Sequence, residues 1–307
     1  MSAEPRVEIA ALAIGKFDAL HLGHRALIAR AATLGRPHLL TFSGMATILN
    51  WPARQPLVAV ADRARVLAEW SQSLGRPVNA IALPFAEVQP MTPVDFIAHL
   101  VARFGRCGLI VGEDFRFGRG RSAGATELTT LATQAGCQVA IVSPVLHAGS
   151  PVSSSRVRDA LAAGDVALVA ELLGRPYRVT GTVMRGDGRG RTIGVPTANL
   201  SAREVQDPAV GVYAAWGVLA DGRRFPAAVN VGHVPTAGAG RPLTVEAHLL
   251  GFSGDCYGQA LGLYFIHRLR NEQRFADLAA LTAQIHRDVA AVRTVVDTTV
   301  VDTTVGL

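Results

Sequence analysis

The stretch I-G-K-F-D-A-L-H-L-G-H-R-A-L, residues 14–27, joins two segments with different hydrophobic patterns. Residues 7–14 form an apolar run typical of a buried strand, and residues 25–32 favour a helix. His21 and His24 are therefore predicted to lie on a strand-to-helix turn. Such turns hold phosphates in many α/β proteins, because a helix start presents unpaired backbone N–H groups and the positive end of its dipole.

The H-x-G-H spacing strengthens the prediction of a phosphate site. His21 and His24 can place two imidazole donors beside the helix start, and Gly23 lets the backbone approach a ligand closely. Two unrelated surface histidines are the alternative, but the order of strand, glycine, paired histidines and helix favours the phosphate site. The stretch resembles the H-x-G-H signature of nucleotidyltransferases that attack the α-phosphate of ATP. The other positions that match this signature are Gly15, Phe17 and Asp18.

The composition predicts a globular chain of about two domains, because 307 residues exceed the usual length of one. Hydrophobic residues make up 49% and charged residues 18%, and no apolar run is long enough to span a bilayer. The start, M-S-A-E-P-R, lacks the basic patch and apolar core of a secretion signal. A cytoplasmic protein with no membrane partner is expected.

The positive net charge of +6 can indicate nucleic-acid binding. The charges do not form blocks, however, and aromatic residues are only 6%, so a small anionic substrate is favoured over a nucleic acid. Lys16 is the only lysine in the chain. This excludes a P-loop and the lysine-bearing second motif of H-x-G-H aminoacyl-tRNA synthetases. Phosphates are then expected to meet arginine, histidine, hydroxyl and backbone N–H groups and a metal ion.

The cysteines Cys107, Cys137 and Cys256 are far apart in sequence. They have neither the spacing of a metal site nor that of a disulfide framework. Buried free thiols are expected, and a zinc ion held by the protein is not.

Strands and helices are predicted to alternate through residues 7–143. Thr92 as N-cap and Pro93 as first helical residue support one of the helices. The order predicts a parallel α/β sheet whose ligands bind at the carboxyl ends of the strands. After the first strand, the predicted strands are 38–42, 79–84, 108–112 and 138–143, and the clearest helices are 62–74 and 92–104.

Two further stretches are predicted at the same edge of this sheet. Residues 113–124, E-D-F-R-F-G-R-G-R-S-A-G, could meet a phosphate and a flat ring, although a solvated basic loop has the same composition. In residues 152–161, consecutive serines open a helix that carries Arg156 and Arg158. Serine there can be a simple cap, but arginine near a helix start is easier to explain if an anion binds.

The second half is predicted to be a small antiparallel barrel covered by a terminal helix. The strand-like runs are separated by turns that contain glycine, and residues 277–292 have apolar side chains at helical spacing. Glycine and proline at 174–176 mark a domain boundary, which gives domains 1–174 and 175–293. The tail 294–307 repeats V-V-D-T-T and is predicted to be disordered. The predicted strands are 177–185, 211–219, 225–231, 243–250 and 261–267.

Taken together, the motifs resemble those of the bacterial bifunctional riboflavin kinase/FMN adenylyltransferases, or FAD synthetases. The adenylyltransferase half is represented by G-K-F-D-A-L-H-L-G-H, V-G-E-D-F-R-F-G and V-S-S-S-R-V-R. The kinase half is represented by L-L-G-R-P-Y, P-T-A-N-L, A-V-N-V-G-H-V-P-T, T-V-E-A-H and F-I-H-R-L-R-N-E-Q-R-F. The motifs follow the family order over roughly residues 7–293. The resemblance implies a Rossmann-like nucleotidyltransferase domain followed by a riboflavin kinase β-barrel.

The activity implied by the resemblance has two steps. ATP phosphorylates riboflavin to FMN, and a second ATP adenylylates FMN to FAD with release of pyrophosphate. Riboflavin, FMN and ATP are thus the expected partners. A monofunctional FAD synthetase with a silent or regulatory kinase-like domain is the alternative. A nucleotidyltransferase for another substrate would leave the second half unexplained, and an RNA-binding protein would show a basic stripe with stacking aromatics.

The resemblance also implies roles for particular residues. Glu246 is the expected general base of the kinase, Thr197 and Asn199 are the expected Mg²⁺ ligands, and His21 and His24 are the expected catalytic pair of the adenylyltransferase. The residues implied to bind ATP and phosphate in the first domain are Gly15, Phe17, Asp18, His21, Gly23, His24, Asp114, Ser153, Ser154, Ser155 and Arg158. Those implied to bind ATP or flavin in the kinase are Gly186, Gly190, Arg191, Gly194, Pro196, Thr197, Asn199, Asn230 and Arg270.

Two departures from the family pattern concern the first domain. Ala19 stands where many members have glycine, and residues 41–47, T-F-S-G-M-A-T, stand where many have a segment with His-Pro. These features are similar to the branch of plant plastid and cyanobacterial FAD synthetases, some of which lack a working kinase half. Since the kinase motifs are present here, both activities are expected.

Overall fold

The computed structural model describes residues 10–186, 190, 194–233 and 243–298, so the predicted site residue Arg191 lies outside the described residues. By their internal contacts the residues form two compact units. The first contains residues up to 54 together with 60–152, and the second contains 55–59 and the residues from 153 onward. The domain boundary at residue 174 stays a prediction.

The first unit is an α/β sandwich. Its helices are α1 (Leu22–Leu34), α2 (Met45–Ile48), α3 (Val60–Leu74), α4 (Phe85–Val88), α5 (Pro93–Phe104) and α6 (Ala125–Gln134), with a 3₁₀ turn at Arg119–Arg121. Its strands are β1 (Ala10–Ile14), β2 (Arg36–Ser43), β3 (Asn79–Pro84), β4 (Gly108–Gly112), β5 (Arg116–Phe117), β6 (Ala123–Gly124), β7 (Gln138–Val142), β8 (Leu146–His147) and β9 (Ser150–Pro151).

The main sheet has the strand order β3-β2-β1-β4-β7, and every neighbouring pair is parallel. This confirms the predicted parallel sheet. The chain moves outward from β1 to β3 and then returns to the other side of β1 at β4. The order therefore reverses between β1 and β4, and the crevice beyond the carboxyl ends of such a pair is where open α/β sheets bind ligands.

Local sequence accounts for most of this unit. The strand β1 is almost entirely buried, as expected for a central strand of a covered parallel sheet. The helix α5 begins with the predicted cap, because the hydroxyl of Thr92 accepts from the Asp95 amide while the Asp95 carboxylate accepts from the Thr92 amide. Its apolar face, with Phe96 and Leu100, packs into the core below the sheet.

The second unit is a closed antiparallel barrel with helices, as predicted. Its strand order is β10-β11-β14-β13-β12-β15, and β15 pairs back to β10. The strands are β10 (Tyr177–Met184), β11 (Ala198–Ser201), β12 (Gly211–Leu219), β13 (Arg224–Gly232), β14 (Thr244–Leu249) and β15 (Ala260–Arg270). The helices are α7 (Ser154–Ala163), α8 (Val166–Leu173) and α9 (Leu278–Thr298).

The strand β11 was not predicted from the sequence. It covers only four residues of the polar P-T-A-N-L-S run, which has little strand propensity. Its conformation is set by pairing with β10 on one side and β14 on the other, and both partners are distant in sequence. Closure of the barrel thus depends on a strand that the local pattern does not reveal.

The helix α9 extends to Thr298, so the predicted disordered tail from residue 294 is wrong for residues 294–298. The tail has strand propensity but little to pair with, and this led to the prediction of disorder. Val292 and Val296 lie one helical turn apart, however, and pack with Ala214 and Leu250 of the barrel. Burial of these side chains outweighs the weak local preference. Residues 299–307 lie outside the described part of the chain.

The packing of α9 predicts that Val296→Ala destabilises the second unit. Val296 is 2% exposed, and removing its two methyl groups is expected to cost about 1–3 kcal/mol of unfolding free energy. Urea unfolding of the full chain measures this loss. Arg293→Ala on the exposed side of the same helix is the control and should change little. Equal stability of both variants and the wild type would contradict the packing of this turn.

Candidate active sites

The turn between β1 and α1 positions the two predicted histidines. His21 is the N-cap of α1, and its Nδ1 accepts from the backbone N–H of His24 at 3.4 Å. The helix begins at Leu22, three residues before the predicted run, so His24 is its third residue. The two imidazole rings stack with centroids 3.7 Å apart. The predicted pair therefore forms one unit at the helix start, with His21 only 7% exposed.

Gly23 has a steric role in this turn. A Cβ atom at this position would lie 3.0 Å from Cε1 and 3.1 Å from Nδ1 of His21. Any larger residue would press on the imidazole that caps the helix. Glycine therefore preserves the geometry of His21, in addition to the close ligand approach predicted from the sequence.

The backbone before the histidines is strained. Phe17 and Leu20 adopt φ values of 51° and 50°, which are unfavourable for residues with a side chain. Arg63 of α3 donates from Nη1 to the carbonyl of Phe17 at 2.9 Å and helps to hold this conformation. The Phe17 ring packs edge-on against His24, with centroids 4.9 Å apart. Arg63 was not predicted as a site residue, since nothing in its local sequence distinguishes it from other helical arginines.

A cleft of about 430 Å³ opens beside this turn. Lys16 and Asp18 line it from the end of β1, opposite the segment that follows β2. The remaining lining residues are Phe42, Gly44, Met45, Ala46, Thr47 and Trp51. The S-G-M-A-T departure from the family pattern thus forms one wall of the cleft.

Charged groups from both sides of the crevice surround Lys16. The carboxylates of Asp18 and Asp114 raise its pKa, but burial, the largest effect, and the Arg121 guanidinium lower it, so the pKa lies below its ordinary value. Asp18 and Asp114 follow β1 and β4 respectively, which confirms that these predicted residues lie at the same edge of the sheet. The loop after β4 is shaped by the β5–β6 hairpin and the 3₁₀ turn rather than being irregular.

The serine-rich stretch begins α7, and its residues belong to the second unit. Ser153 is the N-cap, whose hydroxyl accepts from the Arg156 amide at 3.3 Å. Ser154 and Ser155 are the first helical residues, and Arg158 lies beyond the first turn. The Arg158 Nη1 donates to Gln206 Oε1 at 2.9 Å and to the Gln55 carbonyl at 2.8 Å. A role for these residues in phosphate binding stays a prediction.

The barrel aligns three predicted kinase residues in one row. Asn199 of β11 is paired with Glu246 of β14, which is paired in turn with Asn230 of β13. Directly paired residues of adjacent strands point to the same face of the sheet. The neighbours Leu200 and Val245 are buried, whereas the three row residues are half-buried. The row therefore lies on the outer face of the barrel.

The P-T-A-N segment runs alongside this row. Thr197 lies one residue before β11 and two residues before Asn199. The Pro196 carbonyl is 2.8 Å from Nδ1 of His248. The chain after β10 passes close to Asn199, because a Cβ atom at Gly186 would lie 2.4 Å from the Asn199 amide nitrogen. A larger residue at this position would displace the Asn199 side chain.

The end of the same loop carries two more of the predicted glycines. The Gly190 carbonyl accepts from the Val195 amide at 2.8 Å. Gly194 has a φ of 75° and is exposed. Both glycines thus lie on the chain that leads into the P-T-A-N segment.

Arg270 at the end of β15 forms an ion pair with the terminal helix. Its Nε and Nη2 donate to the carboxylate of Asp288 at 2.8–3.1 Å, and Nη1 donates to the Asn271 carbonyl at 3.0 Å. Gln284 adds a hydrogen bond to Asp288 at 2.8 Å. Asp288 was not predicted from the sequence, because its partner lies on another element. Contact of Arg270 with nucleotide or flavin stays a prediction.

This ion pair predicts a large stability effect for Asp288→Asn. The side chains of Arg270 and Asp288 are 20% and 8% exposed, so the substitution would leave a largely buried cation without its carboxylate. We expect a loss of about 3 kcal/mol of unfolding free energy, measured by urea denaturation. Asp221→Asn breaks an exposed Arg–Asp pair of the same unit and is the matched control, with little change expected. Equal effects of the two substitutions would contradict a structural role of the buried pair.

The structure also bears on the general expectations. All three cysteines are buried, as predicted, and burial raises the pKa of the Cys107 thiol to about 12, with further contributions from Cys137. Across the described ranges, no group of three or more His, Cys, Asp or Glu side chains is placed to hold a metal ion. None of the helices in the described part of the chain is long and apolar enough to cross a bilayer.

Comparison with protein families matches both units. A model described as FAD synthetase matches residues 4–156, and a model described as riboflavin kinase matches residues 173–296. A solved structure titled as a macrolide-efflux protein of Streptococcus pneumoniae superposes with a TM-score of 0.81 at 26% identity. The match covers 93% of this chain and 94% of that one.

Similar proteins are found in bacteria and plants. The bifunctional riboflavin kinase/FMN adenylyltransferase of Pseudomonas fluorescens is 36% identical over 289 residues, which cover 91% of each protein. The protein of the same name from Escherichia coli K12 is 35% identical over 90% of each. The chloroplastic FAD synthetase 2 of Arabidopsis thaliana is 40% identical over 220 residues, which are 66% of this chain. The matched part spans only 59% of that plant protein.

The family matches agree with the two-unit organisation of the chain. The two family models match this chain one after the other, and the two bacterial relatives match it over about nine tenths of its length. This chain belongs to the bifunctional riboflavin kinase/FMN adenylyltransferase family.

Proposed function

We propose that the protein converts riboflavin into FAD in two steps. The barrel phosphorylates riboflavin with ATP to form FMN, and the parallel-sheet unit transfers AMP from a second ATP to FMN with release of pyrophosphate. The observation that carries the proposal is the row formed by Asn199, Glu246 and Asn230, because it places a carboxylate beside neutral oxygen ligands within a barrel that matches riboflavin kinase.

In the kinase step, Glu246 acts as the general base. Its carboxylate accepts the proton of the ribityl 5′-hydroxyl as that oxygen attacks the γ-phosphorus of ATP and ADP leaves. Asn199 and Asn230 on either side orient the carboxylate and the substrates. Glycine at position 186 lets the chain after β10 approach the Asn199 side chain.

The donor set at the P-T-A-N segment fits a magnesium ion. The hydroxyl of Thr197 and the amide oxygen of Asn199 are hard oxygen ligands two residues apart, and the Glu246 carboxylate is the neighbour of Asn199 in the row. Magnesium bound there would neutralise charge on the ATP phosphates. Thr197 and Asn199 would hold it.

In the adenylyl transfer, the nucleophile is the phosphate of FMN. A phosphate monoester is largely ionised near neutral pH, so no strong general base is required. Because His21 Nδ1 accepts a hydrogen bond, its proton resides on Nε2 and can be donated to a phosphate oxygen. His24 and the N-terminal amides of α1 supply further donors toward the α-phosphate of ATP.

Chromatography of flavins tests the proposal. Purified protein is incubated with ATP and Mg²⁺ and either riboflavin or FMN. We expect FMN and FAD from riboflavin, FAD from FMN, and neither when EDTA removes the metal. FAD formed only from supplied FMN would support the monofunctional alternative, in which the barrel is silent or regulatory. Formation of neither product would contradict the proposal. A cytoplasmic location and the absence of nucleic-acid and membrane partners stay predictions.

A further inference from the structure

The single lysine of the chain lies at the edge of the cleft beside the turn after β1. Lys16 lies two residues after the end of β1 at Ile14, and β1 is the central strand next to the crevice between β1 and β4. Its side chain lines the cleft that opens toward the segment after β2. Lys16 therefore borders both the crevice beyond β1 and β4 and the adjoining cleft.

The ammonium group is held in place without a tight ion pair in the described structure. Its Nζ lies 4.0 Å from the centroid of the Trp51 ring, and its backbone carbonyl accepts from the Thr41 hydroxyl at 3.1 Å. The carboxylates of Asp18 and Asp114 act on it from the ends of β1 and β4, and Arg121 opposes them. Partial burial lowers its pKa below the ordinary value, although the residue as a whole is exposed.

Packing alone gives a poor account of this arrangement. Trp51 is 42% exposed, and α2 in the same segment has no buried residue. A cation over such an exposed ring contributes little to folding. A partly desolvated cation that opens onto a cleft is instead suited to an anionic ligand.

We propose that Lys16 is a catalytic residue of the adenylyl transfer, whose ammonium lies between the attacking phosphate of FMN and the α-phosphate of ATP. The inference rests on the proposed function of this unit. In the step, an oxygen of the FMN phosphate forms a bond to the α-phosphorus. The bond from that phosphorus to the β-phosphate oxygen breaks, and pyrophosphate leaves with the electron pair. Two anions must approach each other, and the cation between them offsets their repulsion.

Substitution of Lys16 tests its proposed role in adenylyl transfer, and riboflavin phosphorylation by the same protein serves as the internal standard. Lys16→Gln is expected to lower kcat/KM for FMN adenylylation by about 10²–10³-fold. Lys16→Arg should recover most of the loss, since it restores the cation. Phosphorylation of riboflavin, measured in the same preparations, should be unchanged and shows that the barrel unit is intact, while recovery in Lys16→Arg shows that the parallel-sheet unit tolerates substitution at this position. Arg30→Gln on the outer side of α1 removes an equal charge and is the control.

The possible results separate the inference from the proposed function. Adenylylation by Lys16→Gln within about threefold of wild type would overturn the role of Lys16, because one lost electrostatic donor costs far more than this. Failure of the wild-type protein to make FAD would instead overturn the proposed function of the unit. An equal loss in Lys16→Gln and Lys16→Arg would also overturn the inference, since a cation alone would then not suffice.

The uniqueness of Lys16 allows a second measurement on the unmodified chain. An acetylating N-hydroxysuccinimide ester reacts with amines, so Lys16 is the only side chain that it modifies at nitrogen, and peptide mass spectrometry measures the rate. FMN together with an ATP analogue carrying a methylene bridge between the α- and β-phosphorus atoms should slow acetylation at least about tenfold, as expected for an amine buried against phosphates. Riboflavin with the same analogue should protect less, because it lacks the phosphate. Identical rates with and without ligands would overturn the inference.

Discussion

Glu246→Gln is expected to abolish the conversion of riboflavin to FMN while the protein still adenylylates supplied FMN. Glutamine keeps the shape of the side chain between Asn199 and Asn230, but its amide cannot accept the hydroxyl proton. Loss of a general base lowers the rate by about 10²–10⁴-fold. Initial rates of FMN and FAD formation, separated by chromatography, measure the two steps independently.

The control for this substitution removes a carboxylate elsewhere in the same unit. Glu204→Gln changes an exposed residue shortly after β11 and should leave both activities unaltered. If Glu246→Gln still phosphorylates riboflavin at the wild-type rate, Glu246 has no part in the chemistry. The proposed mechanism would then be wrong, although this result would not contradict the fold.

His24→Ala is expected to stop FAD formation from FMN and leave riboflavin phosphorylation intact. The imidazole lies on the first turn of α1 beside His21, and in the proposed mechanism it stabilises the charge that develops on the α-phosphate. Removing one such donor lowers the rate by about 10²–10³-fold. The backbone N–H of residue 24, which donates to His21, remains in the variant. The loss of FAD formation therefore measures the contribution of the His24 imidazole to the reaction. His21→Ala would additionally remove the helix cap, at a cost of about 1 kcal/mol of stability.

The control for His24→Ala is His99→Ala on α5, a half-buried histidine of the same unit outside the turn. It should retain both activities. A wild-type rate of FAD formation in His24→Ala would remove this imidazole from the mechanism. Loss of both activities in His24→Ala would instead contradict the assignment of separate sites to the two units.

The local sequence pattern was sufficient to predict the main elements of the parallel-sheet unit. The strands β3 and β4 have the bounds that their apolar runs predict, and α5 begins at the predicted cap. The H-x-G-H motif located the strand-to-helix turn, because the strand, turn and helix that build it are contiguous in sequence. Features formed by neighbouring residues are those that sequence reveals.

The alignment of the polar residues of the barrel, in contrast, could not be predicted from the local sequence pattern. Asn199, Asn230 and Glu246 were named through a family resemblance, and no periodicity indicated that they form one row. Their alignment depends on the register of β11, β14 and β13, which is set across long stretches of chain. Likewise Arg63 supports the strained turn from α3, and Asp288 holds Arg270 from α9. Each of these partners is distant in sequence.

The amino-acid sequence by itself determined the fold class, the family, the strand-to-helix turn and the identity of most candidate catalytic groups. The tertiary structure alone decided the pairing of β11, the helical end of α9, and the position of Lys16 in the cleft with Trp51, Asp18 and Asp114. Propensity and capping act between residues a few positions apart, so a linear pattern records them. Strand register, burial and the electrostatic surroundings of a side chain arise from contacts between distant segments, and these exist only once the chain has folded.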